Sequence, residues 1–379
     1  MIHSFRAKTN IFNVLILISF INCSSRMKKQ SQEPDDFIIL MQNQTTFQLI
    51  ENKLLPEKTP DPGLGKALRT ILSASGLKEN SESSFQISVD WRGKGLPYNY
   101  KLYGSGTDYL TRYTGTQIDG DITFQIAGSK KTIPFSLTRT PLLSFEFKSK
   151  EHMKHESEAP FEEPIWSYSF RGDGPIGKFL VVVSRAYKNP PVLWALKHKE
   201  LSMRYLGASL AGELGLIQTR PILEKLVASQ SFDIPNPAEA AAKSLGLFLP
   251  TPSTTKILTK VALSKSTAWF NAYKSLIGFN EPSLVIELLN IMNYSRIVLF
   301  SENLQVIQQA EKACSAKCKP FLENYRKRAL ETKAEISAGK ISEIEYVEDS
   351  ITGKSIRYSR QDILDRQLIG IDRILTKFQ

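Results

Sequence analysis

The stretch RGDGPIGKF, residues 171–179, has the spacing of a phosphate cradle. Gly172, Gly174 and Gly177 fit G-x-G-x-x-G, and Gly172 through Lys178 fit G-x4-G-K. Such spacings let backbone amides at a helix start approach a phosphate. Two features favour an interdomain turn instead. Phe179 stands where a P-loop needs a Mg²⁺-binding Ser or Thr, and no second βαβ unit follows. His152 and His155 form H-x-x-H, with Glu151 and Glu156 beside them. Two such histidines suit a divalent metal, but they sit in a charged, Pro-containing stretch that offers no third fixed ligand. Surface histidines are the better reading. The other two, His3 and His198, complete no Ser-His-Asp set, and the GSG at 104–106 lacks the spacing of a nucleophile elbow. The residues therefore point away from an enzyme. No catalytic, metal or cofactor site is expected, and an unidentified hydrolase or transferase is the minor alternative.

The three cysteines are placed informatively. Cys23 ends an uncharged apolar run, Ile11 to Ile21, which Arg6 and Lys8 precede. That run is too short for a membrane span of about 20 residues and has the layout of an export signal. Two readings of Cys23 follow: an ordinary signal peptide with an incidental cysteine, or a lipid attachment site. The second is preferred, because the apolar run leads directly into Cys23, no A-x-A site lies nearby, and the polar SSRMKKQSQEPDD that follows reads as a tether. Here the sequence resembles the signal of bacterial lipoproteins, in which such a cysteine carries a diacylglycerol. Phe20, Ile21 and Asn22 make it similar to the relaxed signals of spirochaete-type lipoproteins. The resemblance implies a lipid-anchored chain at the outer membrane or cell surface, or on the periplasmic face. It also places the phosphate-like spacing outside the nucleotide pool.

Cys314 and Cys318 remain as a pair. An exported compartment permits a disulfide, but on a regular helix residues four apart hold their Cβ atoms about 5–6 Å apart, beyond the about 3.5–4.5 Å that a bridge wants. Pro320 follows closely, so the helix is expected to end near Cys318. Bonded and free thiols both stay open.

The chain has 379 residues and a formal charge of +11, with 41% hydrophobic and 23% charged residues. It is globular in composition and long enough for two or three domains. The basic residues are spread along it, with Arg326-Lys327-Arg328 as one short cluster. They read as a solvated surface and not as a nucleic-acid interface.

From Phe37 to about Phe147 the pattern is mostly of strands. Phe85, Ile87, Val89 and Trp91 alternate, as do Ile122, Phe124 and Ile126, and Ile133, Phe135 and Leu137. Gly93, Gly95, Asp119-Gly120 and Gly128-Ser129 read as turns. One helix is expected early, on Leu64, Leu68, Ile71 and Leu72. The expectation for 37–165 is an antiparallel, sandwich-like β domain. Its aromatic stretch, Trp91, Tyr98, Tyr100, Tyr103, Tyr109 and Tyr113 among Arg92, Lys94 and Arg112, reads as strand packing, with a glycan-stacking face as the alternative.

From residue 174 the period becomes helical: Ile176, Phe179, Leu180, Val183 and Tyr187. Helices that end at Gly215, Gly246 and Gly278 are then each followed by a Pro or Ser start (Pro221, Ser253, Pro282) and an apolar helix. Glycine closes a helix in the left-handed conformation without strain. A period in the thirties with two helices per unit marks an α-solenoid. Residues 301–379 read as a helical tail, with Ser301 and Ser359 as caps and a β-hairpin near 341–358.

The segment VLWALKHKELSMRYLGASLAGELG resembles a HEAT-type repeat junction. Signal (1–22), tether (23–36), β domain and HEAT-like repeats (174–295) together resemble the HEAT-repeat lipoproteins of spirochaetes. The resemblance implies placement in the envelope more than an activity. The function expected is a non-enzymatic scaffold or adaptor. It would be held to the membrane by the lipid and would contact another protein through the second helices, at Glu224, Lys225, Lys256, Lys260 and Glu287. The alternative is a surface adhesin or glycan binder that uses the aromatic β module.

Overall fold

The computed structural model describes residues 35–54, 63–104, 107–139, 174–229, 236–264, 266–294, 301–348 and 355–379. Its N-terminal half is one mixed sheet with helices on one face, and helices follow.

The sheet contains β1 (Thr46–Leu54), β2 (Lys78–Glu79), β3 (Gln86–Gly104), β4 (Thr107–Ile126) and β5 (Ser129–Arg139), in the order β2-β1-β3-β4-β5. β3, β4 and β5 form an antiparallel meander, whereas β1 runs parallel to both β2 and β3. The expectation of a purely antiparallel sandwich is thus corrected: among the described residues no second sheet packs on this one. Alternation reveals that a strand has one buried face, but it does not reveal what buries it. Three helices do so: α1 (Asp36–Gln42), α2 (Leu64–Ala74) and α3 (Pro175–Tyr187). Phe124 of β4 lies edge-on to Phe37 of α1 at 6.1 Å and stacks on Phe179 of α3 at 5.1 Å between centroids. The Tyr187 hydroxyl at the end of α3 donates to the Met41 carbonyl at 2.6 Å. The other face of the sheet is polar, with Asn52 donating to Asp90 and Gln117 and Ser136 both donating to Asp119.

Gly93, Gly95 and Gly120 lie inside the long strands β3 and β4 and not at turns. Gly120 is required there by space, since a Cβ would meet the Asp90 carbonyl oxygen at 2.3 Å. The β4–β5 turn is Ala127-Gly128, with φ of 48° and 82°, a pair of positive values that suits a tight two-residue hairpin. Helix α1 was not expected. Its apolar DFIILMQ is too short to show a period, although the side chain of Asp35 caps it through the Phe37 amide.

After α3 come α4 (Asn189–Leu196), α5 (Leu201–Glu213), α6 (Arg220–Ala228), α7 (Pro237–Leu245), α8 (Pro252–Ala262), α9 (Trp269–Phe279), α10 (Val285–Tyr294), α11 (Glu302–Ala313) and α12 (Lys319–Ser337). A hairpin, β6 (Ile344–Glu348) with β7 (Ser355–Ser359), precedes α13 (Arg360–Leu375). The side chain of Ser359 caps α13 through the Asp362 amide. Ser301 occupies the N-cap of α11 without a side-chain cap bond. Helices α5, α7 and α9 pack in succession, as do α6, α8 and α10, and α13 crosses α11 and α12.

The α5–α7 and α7–α9 contacts repeat one device. The Ser244 hydroxyl donates to the Ala208 carbonyl, and Gly212 makes room for it: a Cβ there would meet Ser244 Oγ at 2.5 Å. One helix on, Ser275 donates to the Ala242 carbonyl beside Gly246, where a Cβ would meet Ser275 Oγ at 2.4 Å. Gly246 therefore corresponds to Gly212 and not to Gly215. Of Gly215, Gly246 and Gly278, only Gly215 has a positive φ, 65°. Gly278 lies within α9, and Asn280 takes the left-handed cap at φ 52°. The expectation of three equivalent left-handed glycine stops is corrected accordingly.

Candidate functional site

Cys23, the signal segment, residues 23–34 of the tether, the His152/His155 pair and residues 171–173 lie outside the described residues. The expected tether end at 36 is corrected, since Asp35 caps the first helix and Asp36 begins it. The described part of the phosphate-like stretch, residues 174–179, is structural. Gly174 caps α3 with no side-chain cap bond and Pro175 occupies its first turn, where it has no amide hydrogen to offer. Ile176, Gly177 and Phe179 are buried, and Lys178 Nζ reaches the Pro134 carbonyl at 3.5 Å. The stretch joins helix to sheet. Trp91 is likewise buried at 1% exposure, with Lys53 Nζ 5.3 Å above its ring. Tyr98 faces Tyr113 in the β3–β4 register. Among the described residues no cluster of three or more His, Cys, Asp or Glu could hold a metal ion. None of their helices is long and apolar enough to cross a membrane.

Of the five residues expected to meet a partner, Glu224 has an internal role. It accepts from Ser253 Oγ at 3.1 Å and Thr254 Oγ1 at 2.6 Å, and so braces α6 against α8. Lys225, Lys256, Lys260 and Glu287 are exposed on α6, α8 and α10. The turns at the edge of this stack expose aliphatic side chains: Ile217 at 51%, Leu247 at 60% and Leu249 at 77%.

The Ser/Gly seam ends at α9, where the packing changes. Tyr273, Asn303, Tyr325 and Gln367 are each 0% exposed and form one hydrogen-bonded chain through α9, α11, α12 and α13. The Tyr273 hydroxyl donates to Asn303 Oδ1 at 2.7 Å, Asn303 Nδ2 to the Tyr325 hydroxyl at 2.7 Å, and that hydroxyl to Gln367 Oε1 at 2.9 Å. Burial pushes both tyrosine pKa values well above the usual phenol value. Both therefore stay protonated, as donors must.

Cys314 and Cys318 are joined by a disulfide, with Cα atoms 5.8 Å apart. The expected single helix through both is corrected. Helix α11 stops at Ala313, Cys314 is extended at ψ 133°, and a 3₁₀ turn over Ala316–Cys318 leads into α12. The break supplies the closer approach that a regular helix denies. Pro320 opens a helix and does not end one.

Beyond the bridge, α12 and the end of α13 enclose an open groove of about 710 Å³. Lys319, Glu323, Lys327 and Glu331 line it, over a floor that includes Leu330 and Leu375. Arg326 pairs with Asp372 at 2.6 Å across the groove. Arg328 turns inward, onto the carbonyls of Met292 and Asn293. The basic cluster at 326–328 is thus divided among three roles. No family model, curated protein or solved structure matches the chain.

Proposed function

We propose that the chain is a lipid-anchored protein of a bacterial envelope, held by acylated Cys23, which acts without catalysis as a protein-interaction scaffold built on a HEAT-like α-solenoid. The observation that carries this reading is the seam used twice, Ser244 with Gly212 and Ser275 with Gly246. A contact repeated between successive units is how solenoids grow, and the extended surfaces they present suit protein partners. The exposed Lys225, Lys256 and Lys260 and the uncovered Leu247 and Leu249 supply polar and apolar contacts on the same stack.

Two measurements test the reading. The intact mass of the membrane-extracted protein is expected to begin at Cys23 and to include acyl chains; an unmodified Cys23 rejects the anchor. Crosslinking in intact cells is expected to join α6 and α8 to an envelope protein, and the triple charge reversal Lys225→Glu, Lys256→Glu, Lys260→Glu is expected to abolish that adduct. Adducts that arise only from the sheet, together with glycan binding by the chain, would replace the scaffold reading with the adhesin one.

A further inference from the structure

On α12, Lys319, Glu323, Lys327 and Glu331 follow one another at intervals of four residues. That spacing places them along one side of a helix. All four line the groove beside α13, and among the described residues none of them makes an ion pair. Exposed Pro320 and Leu330, the latter at 42% exposure, lie on the same helix. A stripe of this kind, basic-acidic-basic-acidic, has a property that a random charged surface lacks. Rotated by a two-fold axis through the middle of the stripe, it is its own complement. Lys319 then meets the partner's Glu331, Glu323 meets the partner's Lys327, and both pairs recur by symmetry. The same operation sets Leu330 against the partner's Pro320. A parallel arrangement would instead place like charges together.

We infer that this chain self-associates through α12, as an antiparallel, two-fold symmetric pair in which each copy's stripe lies along the groove of the other. Closed two-fold pairs are the commonest homo-oligomers, and their interfaces must be self-complementary in this sense. The Arg326–Asp372 pair fixes the groove wall by tying α12 to α13. The charges set register and orientation, and the apolar pair adds contact area. The proposal stands independently of the lipid anchor and of the solenoid surface, since neither contributes a residue to it.

Analytical ultracentrifugation of the full chain tests it. Cys23→Ser is carried throughout, so that neither acyl chains nor a Cys23 bridge joins two copies. The otherwise unaltered chain is expected to show a concentration-dependent monomer–dimer equilibrium that weakens as salt rises from about 0.05 M to about 0.5 M, because exposed pairs are screened. An all-acidic stripe, Lys319→Glu with Lys327→Glu, and an all-basic stripe, Glu323→Lys with Glu331→Lys, are each expected to self-associate about tenfold or more weakly. An equimolar mixture of the two is expected to regain the dimer. The four positions are on the surface, and circular dichroism checks that each variant folds. An unaltered chain that stays monomeric overturns the proposal. So does a variant that dimerises as well as the unaltered chain, or a mixture that stays monomeric.

Discussion

The Tyr325 hydroxyl donates to Gln367 Oε1 at 2.9 Å with both side chains fully buried. It also accepts from Asn303, so a single oxygen ties α11, α12 and α13 together. Tyr325→Phe preserves the ring and removes that oxygen. Buried polar groups that lose a partner cost about 1–3 kcal/mol each, so urea denaturation is expected to show a loss of at least that order. Adding Gln367→Leu to Tyr325→Phe is expected to cost less than the sum of the single changes, because both changes break the same hydrogen bond.

The seam gives a steric prediction. Gly246→Ala places a methyl group 2.4 Å from Ser275 Oγ and 3.0 Å from the Ser275 backbone. Gly246 has an ordinary helical φ of −67°, so no conformational penalty intervenes. Overpacking of this kind costs about 1–3 kcal/mol, against a helix-propensity gain of up to about 1 kcal/mol. Net destabilisation is expected in thermal or denaturant melts. Combining Gly246→Ala with Ser275→Gly is expected to recover part of it, and a fully additive double variant would refute the contact.

The disulfide closes a very short loop, Cys314 to Cys318. Loop-entropy reasoning gives such a bridge about 2 kcal/mol. The double change Cys314→Ala, Cys318→Ala is expected to lower the unfolding free energy by about that amount. A dithiol reductant is expected to lower the stability of the unaltered chain similarly and to leave the double variant unchanged.

His198 gives a pH dependence. Burial pushes its imidazole below the usual value, the Glu200 charge opposes that push, and Lys199 and Arg204 add to it. Its Nδ1 accepts from the Glu200 amide at 3.1 Å, and its ring lies 4.8 Å from that of Trp194. The folded chain therefore resists the proton that the unfolded chain takes up near pH 6.5. The unfolded state then binds more protons, and stability falls as pH drops below about 6.5 toward the lower folded-state value. His198→Gln is expected to flatten this slope between about pH 7 and about pH 5 in urea melts, and an unchanged slope would refute the assignment.

Much of the fold was legible where one buried face sets a period. Phe85, Ile87, Val89 and Trp91 are all buried, as are Leu64, Leu68, Ile71 and Leu72. The Ser359 cap and the hairpin before it have local signatures and were readable for that reason. The parallel pairing of β1 with β3 was not readable, because a strand's period is the same whichever neighbour it takes. The glycines misled because one letter serves two ends. Gly215 is needed for a positive φ, whereas Gly246 is needed for a neighbour's approach, and sequence spacing does not separate the two. Arg326-Lys327-Arg328 stood out in the sequence but the stripe around them did not, because the groove that gives the stripe's charges a common face depends on α13, which returns from a distant part of the chain.

The bond from Tyr187 to Met41 spans 146 residues, and this has a consequence for the order of events as the chain emerges during synthesis. The sheet's own hydrogen bonds are complete with β5, yet Phe124 lacks the ring of Phe179 until α3 has followed. Until then the helix-covered face presents Phe124, Ile133 and Phe135 without their final cover. Uncovered apolar sheet of that kind is what draws chaperones and neighbouring chains. A pause or truncation before residue 187 is therefore more hazardous to this protein than one after it, since the later helices add units to a stack already seated on a closed layer.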